Sequence, residues 1–226
     1  MGKITYIDLL AKYGIKSAHP GGLFLTKELL KSFKIDPDTC LLDVGCGTGQ
    51  TSAYICKKYR CNVTAIDINK KMLERAAQRF KKEGIKIDLH EEDASKMKFS
   101  SNAFDILLSE SVTVFTNAKQ TIGEYYRVLR NEGTLVAIEM YAEVKMSEKD
   151  LNTINSVYGI EYLPDLEEWA DMFTRAGFRD IKTYRINEKP TYRLTSLRMI
   201  KDFLPHLNVI KYFRKKIGYR IFICTK

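Results

Sequence analysis

The sequence predicts an α/β protein built on one mostly parallel sheet, and three observations carry that prediction. From Cys40 onward, short apolar runs alternate with amphipathic stretches, the pattern of a repeated strand–helix unit. The first run, Leu41-Leu42-Asp43-Val44, leads into Gly45-Cys46-Gly47-Thr48-Gly49, a glycine-rich turn that opens a helix. The 226 residues, 45% hydrophobic and 29% charged, are enough for a single domain with its own core and exclude a disordered or collagenous chain.

Two short helices precede the repeating units. Apolar residues fall at helical spacing through Ile4, Ile7, Leu9 and Leu10, and again through Leu25, Leu29, Leu30 and Phe33, with His19-Pro20-Gly21-Gly22 breaking the pattern between them. Strand CLLDV (40–44) is followed by a helix through Lys58, strand NVTAID (62–67), and a helix opened by Asn69 and closed by Gly84. That last helix sets Met72, Ala76 and Phe80 on one face and its Lys and Arg on the other, so the apolar stripe belongs to the core. The alternation continues with KIDLH (86–90), FDILLS (104–109), a helix from Asn117 to Arg130, an Asn131-Glu132-Gly133 turn and strand TLVAIEM (134–140). Ser147 and Asp150 form a capping pair for a helix through Tyr158, and Pro164-Asp165 opens another that buries Leu166, Trp169 and Phe173 before Gly177. FRDIKTYRI (178–186) and YRIFICTK (219–226) complete seven strands. Residues 188–217 between them are too long for a hairpin turn, and helical spacing through Leu207, Ile210, Phe213 and Ile217, after a break at Pro205, predicts a helical insertion packed on the sheet.

The net charge of +9 is unevenly placed. Residues 1–188 hold 27 Lys/Arg and 27 Asp/Glu, whereas residues 189–226 hold ten basic groups against Asp202 alone. One reading of this segment, with Tyr192, Phe203, Tyr212 and Phe213 interleaved, is an attraction surface for nucleic acid, an acidic metabolite or lipid headgroups; the other, preferred here, is a solvated charged face. The chain shows no secretory signal and no apolar run long enough to span a bilayer. Its five cysteines (Cys40, Cys46, Cys56, Cys61, Cys224) are odd in number and lack Cys-x-x-Cys or metal-ligand spacing. These features predict reduced thiols, a cytoplasmic location, no metal and no stable membrane association.

Glycines let the backbone turn sharply and bring bare N–H groups close to a ligand, and a helix start favours negative charge or lone pairs. Asp67 stands eighteen residues past Gly49 at the end of the second strand, where a carboxylate can accept hydrogen bonds from a ribose diol. Together they predict an adenosine-containing ligand. A dinucleotide site needs Gly-x-Gly-x-x-Gly to seat a pyrophosphate, and Gln50 occupies the position of its last glycine, which excludes that reading.

With its acidic residue and three alternating glycines, the stretch Asp43, Gly45, Gly47, Gly49 resembles motif I of the class I S-adenosylmethionine-dependent methyltransferases. Asp67, Asp93-Ala94 and Ser109-Glu110 stand, in order, where that family places its ribose, adenine and methyl-proximal groups. The likeness covers roughly residues 38–187 and 218–226 and is strongest to the small-molecule branch typified by quinone-biosynthesis C-methyltransferases. It implies a three-layer Rossmann-like sandwich with the last strand antiparallel, S-adenosylmethionine as cofactor, S-adenosylhomocysteine as product and a small-molecule acceptor. It further implies that the glycine loop and Asp43 hold the methionine half, Asp67 the ribose, Ile68 and Met72 the adenine faces, and Asp93 and Ala94 its edge, with Ser109 beside the methyl and Gln50 also at the cofactor. His19 and Glu110 are the expected catalytic residues, with Tyr158 near the acceptor; His90 and His206 receive no role. Residues 1–37, a helical cap, and the basic insertion 188–217 lie outside the common core and are the expected seat of substrate choice. An RNA-modifying enzyme using the basic tail, a protein methyltransferase and a non-catalytic cofactor-binding module are the competing readings.

Overall fold

The computed structural model describes residues 5–16, 18–187 and 194–226; Ile4, Tyr192 and the first residues of the expected insertion lie outside the described residues. Two helices come first. Thr5 and Asp8 cap α1 (Tyr6–Tyr13) reciprocally, and Gly14 ends it in the left-handed region; α2 (Gly22–Leu30) follows. The alternation then gives β1 (Cys40–Val44), α3 (Gln50–Tyr59), β2 (Asn62–Asp67), α4 (Lys70–Glu83), β3 (Asp88–Glu91), β4 (Phe104–Glu110), α5 (Ala118–Val128) and β5 (Leu129–Ala142). The remainder is α6 (Glu148–Tyr158), α7 (Leu166–Ala176), β6 (Arg179–Ile186), α8 (Leu197–Tyr212) and β7 (Ile217–Thr225).

The strands form one sheet in the order β3-β2-β1-β4-β5-β7-β6. Strand β7 is antiparallel to both β5 and β6, and the other pairings are parallel, as expected. The central strands read as continuous apolar runs because both faces are covered. Successive residues serve opposite layers: Leu42, Leu107 and Leu135 join the larger core with Trp169 and Phe173, while Leu41, Ile106 and Val136 join the core under α3 with Ile55.

Three expected boundaries are corrected. Helix α5 ends at Val128, not Arg130, because Leu129 is already extended and pairs with Phe104 in the sheet. The Asn131-Glu132-Gly133 turn is a left-handed kink at Glu132 within a longer β5. Pro205 does not break the insertion: α8 runs through it, with the ring on the exposed side, where the missing N–H costs one backbone bond. Because α8 starts before Pro205, its inward stripe is Met199, Phe203, His206 and Val209; of the expected stripe, Phe213 alone is buried.

Helix α8 closes over α1 and α6. Asp202 accepts from Lys12 at 2.7 Å and from the Tyr13 hydroxyl at 2.6 Å, and the ring of Tyr6 stacks on His206 at 4.4 Å. After β1, Gly49 caps α3 at φ +70°, and a Cβ there would stand 2.6 Å from the Phe80 ring and 2.9 Å from Ala76 Cβ. Gly49 is what lets α3 and α4 approach. Gly49→Ala is expected to lower stability by about 1–3 kcal/mol through strain and overpacking, read as a fall in the urea midpoint; an unchanged midpoint would remove this packing role.

Candidate functional site

The strand order reverses at β1, which has β2 on one side and β4 on the other. In open α/β sheets the crevice beyond the carboxyl ends of the strands at such a switch point is where ligands bind. A cavity of about 450 Å³ lies there. Of the residues expected at the site, it brings together His19, Asp43, Gly45, Gly47, Gln50, Asp67, Ile68, Met72, Asp93, Ala94 and Glu110, with Tyr158.

One end is built by the β1–α3 and β2–α4 turns. Asp67 grips the glycine loop: its Oδ2 accepts from the Gly47 N–H at 2.8 Å and its Oδ1 from the Asn69 N–H at 2.8 Å. Burial raises its pKa, and these backbone donors oppose the shift. Each carboxylate oxygen keeps a second lone pair, enough for a diol. Gly47 has φ +54° and open space where a Cβ would project, so its backbone faces the cavity bare. Ile68 is 67% exposed, an unusual position for a large aliphatic side chain and one that offers a flat apolar face, while Met72 is buried beside it. Asp93 turns Oδ1 to the Ser95 N–H at 2.8 Å and the Ser95 hydroxyl at 2.7 Å. Asp43 is fully buried, accepts from the Ser52 hydroxyl, and is pushed up to about 8 by burial and then by the charge of Glu110.

Two expected contacts do not line the cavity. Gly49 serves helix packing, as described above. Ser109 is fully buried behind the wall, where its hydroxyl pairs with Tyr125 Oη at 3.1 Å and lies 3.4 Å from Thr113 Oγ1. It supports the wall rather than touching what the cavity holds.

The other end is a clasp beside an aromatic lining. Glu110 accepts from the hydroxyls of Thr26, on α2, and Thr51, on α3, the latter at 2.9 Å, and lies 3.3 Å from His19 Nε2. His19 Nδ1 faces the Pro20 carbonyl at 3.1 Å, so that nitrogen carries a proton. His19 and Glu110 tie the His19 turn and α2 to the end of β4, and both line the cavity. Beyond them, Tyr6, Phe115, Tyr158 and His206 line the cavity, with Tyr158 Oη 2.6 Å from His206 Nδ1. Burial lowers His206 to about 4, which keeps the imidazole neutral near pH 7.

Sequence reading missed Tyr6, Thr26, Thr51, Glu139 and His206. Glu139 is fully buried on β5, where its carboxylate accepts from the N–H groups of Thr113 at 2.9 Å and Val114 at 3.3 Å. It thereby holds the 3₁₀ turn (Thr113–Phe115) that carries Phe115 to the cavity. A charged residue inside the apolar run TLVAIEM was its available signal.

Comparison with known proteins agrees with this architecture. The methyltransferase domain family matches residues 41–133. A Bacillus subtilis protein described as an uncharacterized methyltransferase, YodH, is 31% identical, with 98% of this chain and 99% of that protein covered. Demethylmenaquinone methyltransferase of Bacteroides fragilis is 26% identical over 65% of this chain and 70% of its own length. In fold, the chain is similar to phosphoethanolamine N-methyltransferase 2 of Haemonchus contortus, solved in complex with S-adenosyl-L-methionine: TM-score 0.79 over 97% of this chain and 57% of that one, at 17% identity. The chain belongs to the class I S-adenosylmethionine-dependent methyltransferases. It is an enzyme whose methyl donor is S-adenosylmethionine.

The buried acids and His206 set opposing pH limbs. Burial raises Glu139 to about 7 and Asp43 to about 8, so each stabilises the fold below its unfolded pKa and loses that contribution as pH rises through its folded value. His206, lowered from 6.5, contributes above that value and loses it as pH falls towards 4. The urea midpoint of the ligand-free enzyme is expected to fall between about pH 5 and about pH 8, and Glu139→Gln to flatten the part of that limb below about pH 7. An undiminished slope between about pH 5 and about pH 7 in the variant would contradict the assignment.

Proposed function

We propose that the enzyme methylates an unphosphorylated small molecule with an apolar or aromatic body, bound at the Tyr6–Phe115–Tyr158 end of the cavity. The observation that carries this reading is the character of the lining: among the described residues, no Lys or Arg faces the cavity, and its formal charges belong to carboxylates. A phosphate ester needs cationic or clustered N–H partners, which that end does not offer. The likeness to demethylmenaquinone methyltransferase supports a ring-bearing acceptor.

The donor end fits an adenosine with a charged amino-acid arm. The glycine-loop backbone, Gln50 and Asp43 would hold the methionine half, Asp67 the ribose hydroxyls, Ile68 and Met72 the adenine faces, and Asp93 with Ala94 its edge. S-adenosylmethionine supplies, when bound, an electrophilic methyl on a sulfonium. The chain's own part is positional. Helices α1 and α8 exclude water, the His19–Glu110 clasp fixes the turn above the reacting centre, and the aromatic wall aligns the acceptor. Tyr158, hydrogen-bonded to His206, is a polar group on that wall and would orient an acceptor oxygen.

Two measurements test this. Asp67→Ala should weaken S-adenosylmethionine and S-adenosylhomocysteine by about 1.5–3 kcal/mol in calorimetric titration, since it removes charged hydrogen bonds; unchanged affinity would sink the ribose assignment. In parallel turnover assays, a demethylmenaquinol analogue should be methylated and phosphoethanolamine should not. Methylation of phosphoethanolamine would overturn the acceptor class.

A further inference from the structure

We propose that the outer face of α8 docks reversibly on an anionic lipid surface. The inner face of this helix is accounted for: Met199, Phe203, His206 and Val209 are buried against the body of the enzyme. The opposite face carries what a water-facing helix should not. Leu197 is 86% exposed, Leu204 50% and Ile200 43%, at the i, i+3, i+7 spacing of a single stripe, and Tyr212 near its end is 69% exposed. Arg198, Lys201 and Lys211 are interleaved with this stripe, and Arg214 and Lys215 follow it, all exposed or nearly so. The segment's one acid in residues 189–226, Asp202, is turned inward to Lys12 and Tyr13, which leaves the outer face without negative charge.

An apolar stripe flanked by cations is the composition of a helix lying in the headgroup layer, with its aliphatic side chains among the acyl chains and its cations at the phosphates. Nucleic acid would use the same cations, but aliphatic Leu197, Ile200 and Leu204 present no π face on which a base can stack. The arrangement differs from a membrane span: no helix among the described residues is long and apolar enough to cross a bilayer. Since the inner face of α8 supplies His206 to the cavity wall, the docked helix would lie between the bilayer and the acceptor end.

The test is co-sedimentation of the full chain with vesicles of phosphatidylcholine alone and of phosphatidylcholine with phosphatidylglycerol. Binding is expected to the anionic vesicles, to weaken steeply with salt, and to fall about tenfold or more in Leu197→Ser/Leu204→Ser, a pair of exposed positions. The variant's calorimetric affinity for S-adenosylhomocysteine serves as the check that it is folded. Vesicle binding is read without turnover, so the methyl-transfer reading and this one fail separately. Absence of binding to anionic vesicles at low salt, or equal binding by the double variant, would overturn the proposal. Retention of a labelled RNA with no vesicle binding would overturn it in favour of nucleic acid, and a self-associated species dispersed by the double variant would do so in favour of a second copy of the chain.

Discussion

Asp43, Asp67 and Glu110 stand at the carboxyl ends of three neighbouring parallel strands, and the organisation of the site follows from how that crowding of negative charge is resolved. No Lys or Arg among the described residues reaches the cavity, so the solution is distributed. Asp67 is satisfied by the backbone N–H groups of Gly47 and Asn69, which shapes the glycine loop. Glu110 is satisfied by two hydroxyls and an imidazole, which closes the cap. Asp43 has the Ser52 hydroxyl, and burial beside Glu110 raises its pKa. A cationic ligand entering this space supplies the counter-charge that the fold withholds, and a sulfonium cofactor with an ammonium arm is such a ligand.

The cap is consequently part of the site's electrostatics. Thr26 and His19 reach the core through Glu110, and α1 reaches the insertion through the Lys12–Asp202 pair and the Tyr6–His206 stack. An exposed ion pair such as Lys12–Asp202 contributes little by itself. The buried contacts hold the closure: Tyr6, Tyr158 and Phe203 are packed around His206 in edge and stacked contacts at the aromatic end of the cavity.

The sheet, the glycine loop, Asp67 and the Asp93-Ala94 pair were legible because each is local: a strand end, the turn after it and a helix cap lie within a few residues of one another. Thr26 and Thr51 were not, since they meet Glu110 across 84 and 59 positions of chain, and an ordinary threonine on a helix face carries no mark of that meeting. Ser109 shows the opposite failure. It holds the right position at the end of β4, but alternation along the strand turns its side chain to the α5 layer, where Tyr125 accepts or donates its hydrogen bond. Pro205 misled for a related reason. A proline's cost is one hydrogen bond and a local clash, and packing of four inward residues on α8 exceeds it.

Under the proposed function, the chemistry of methyl transfer is consistent with the engagement of the histidines at the aromatic end of the cavity in hydrogen bonds within the fold. Methyl transfer to a lone pair needs alignment and a dry pocket more than a proton relay, so a fold can commit its titratable side chains to structure. The two histidines near the centre are committed in that way, His19 to Pro20 and Glu110, His206 to Tyr158. What remains on the wall at that end is largely aromatic and aliphatic surface, from Tyr6, Ile7, Leu10, Phe115 and Met140. Helices α1 and α8, which shape that end of the cavity, come from outside the strand–helix repeat, so under the proposed function a change there would alter the fit of the acceptor and leave the carboxylates of the glycine-loop end in place.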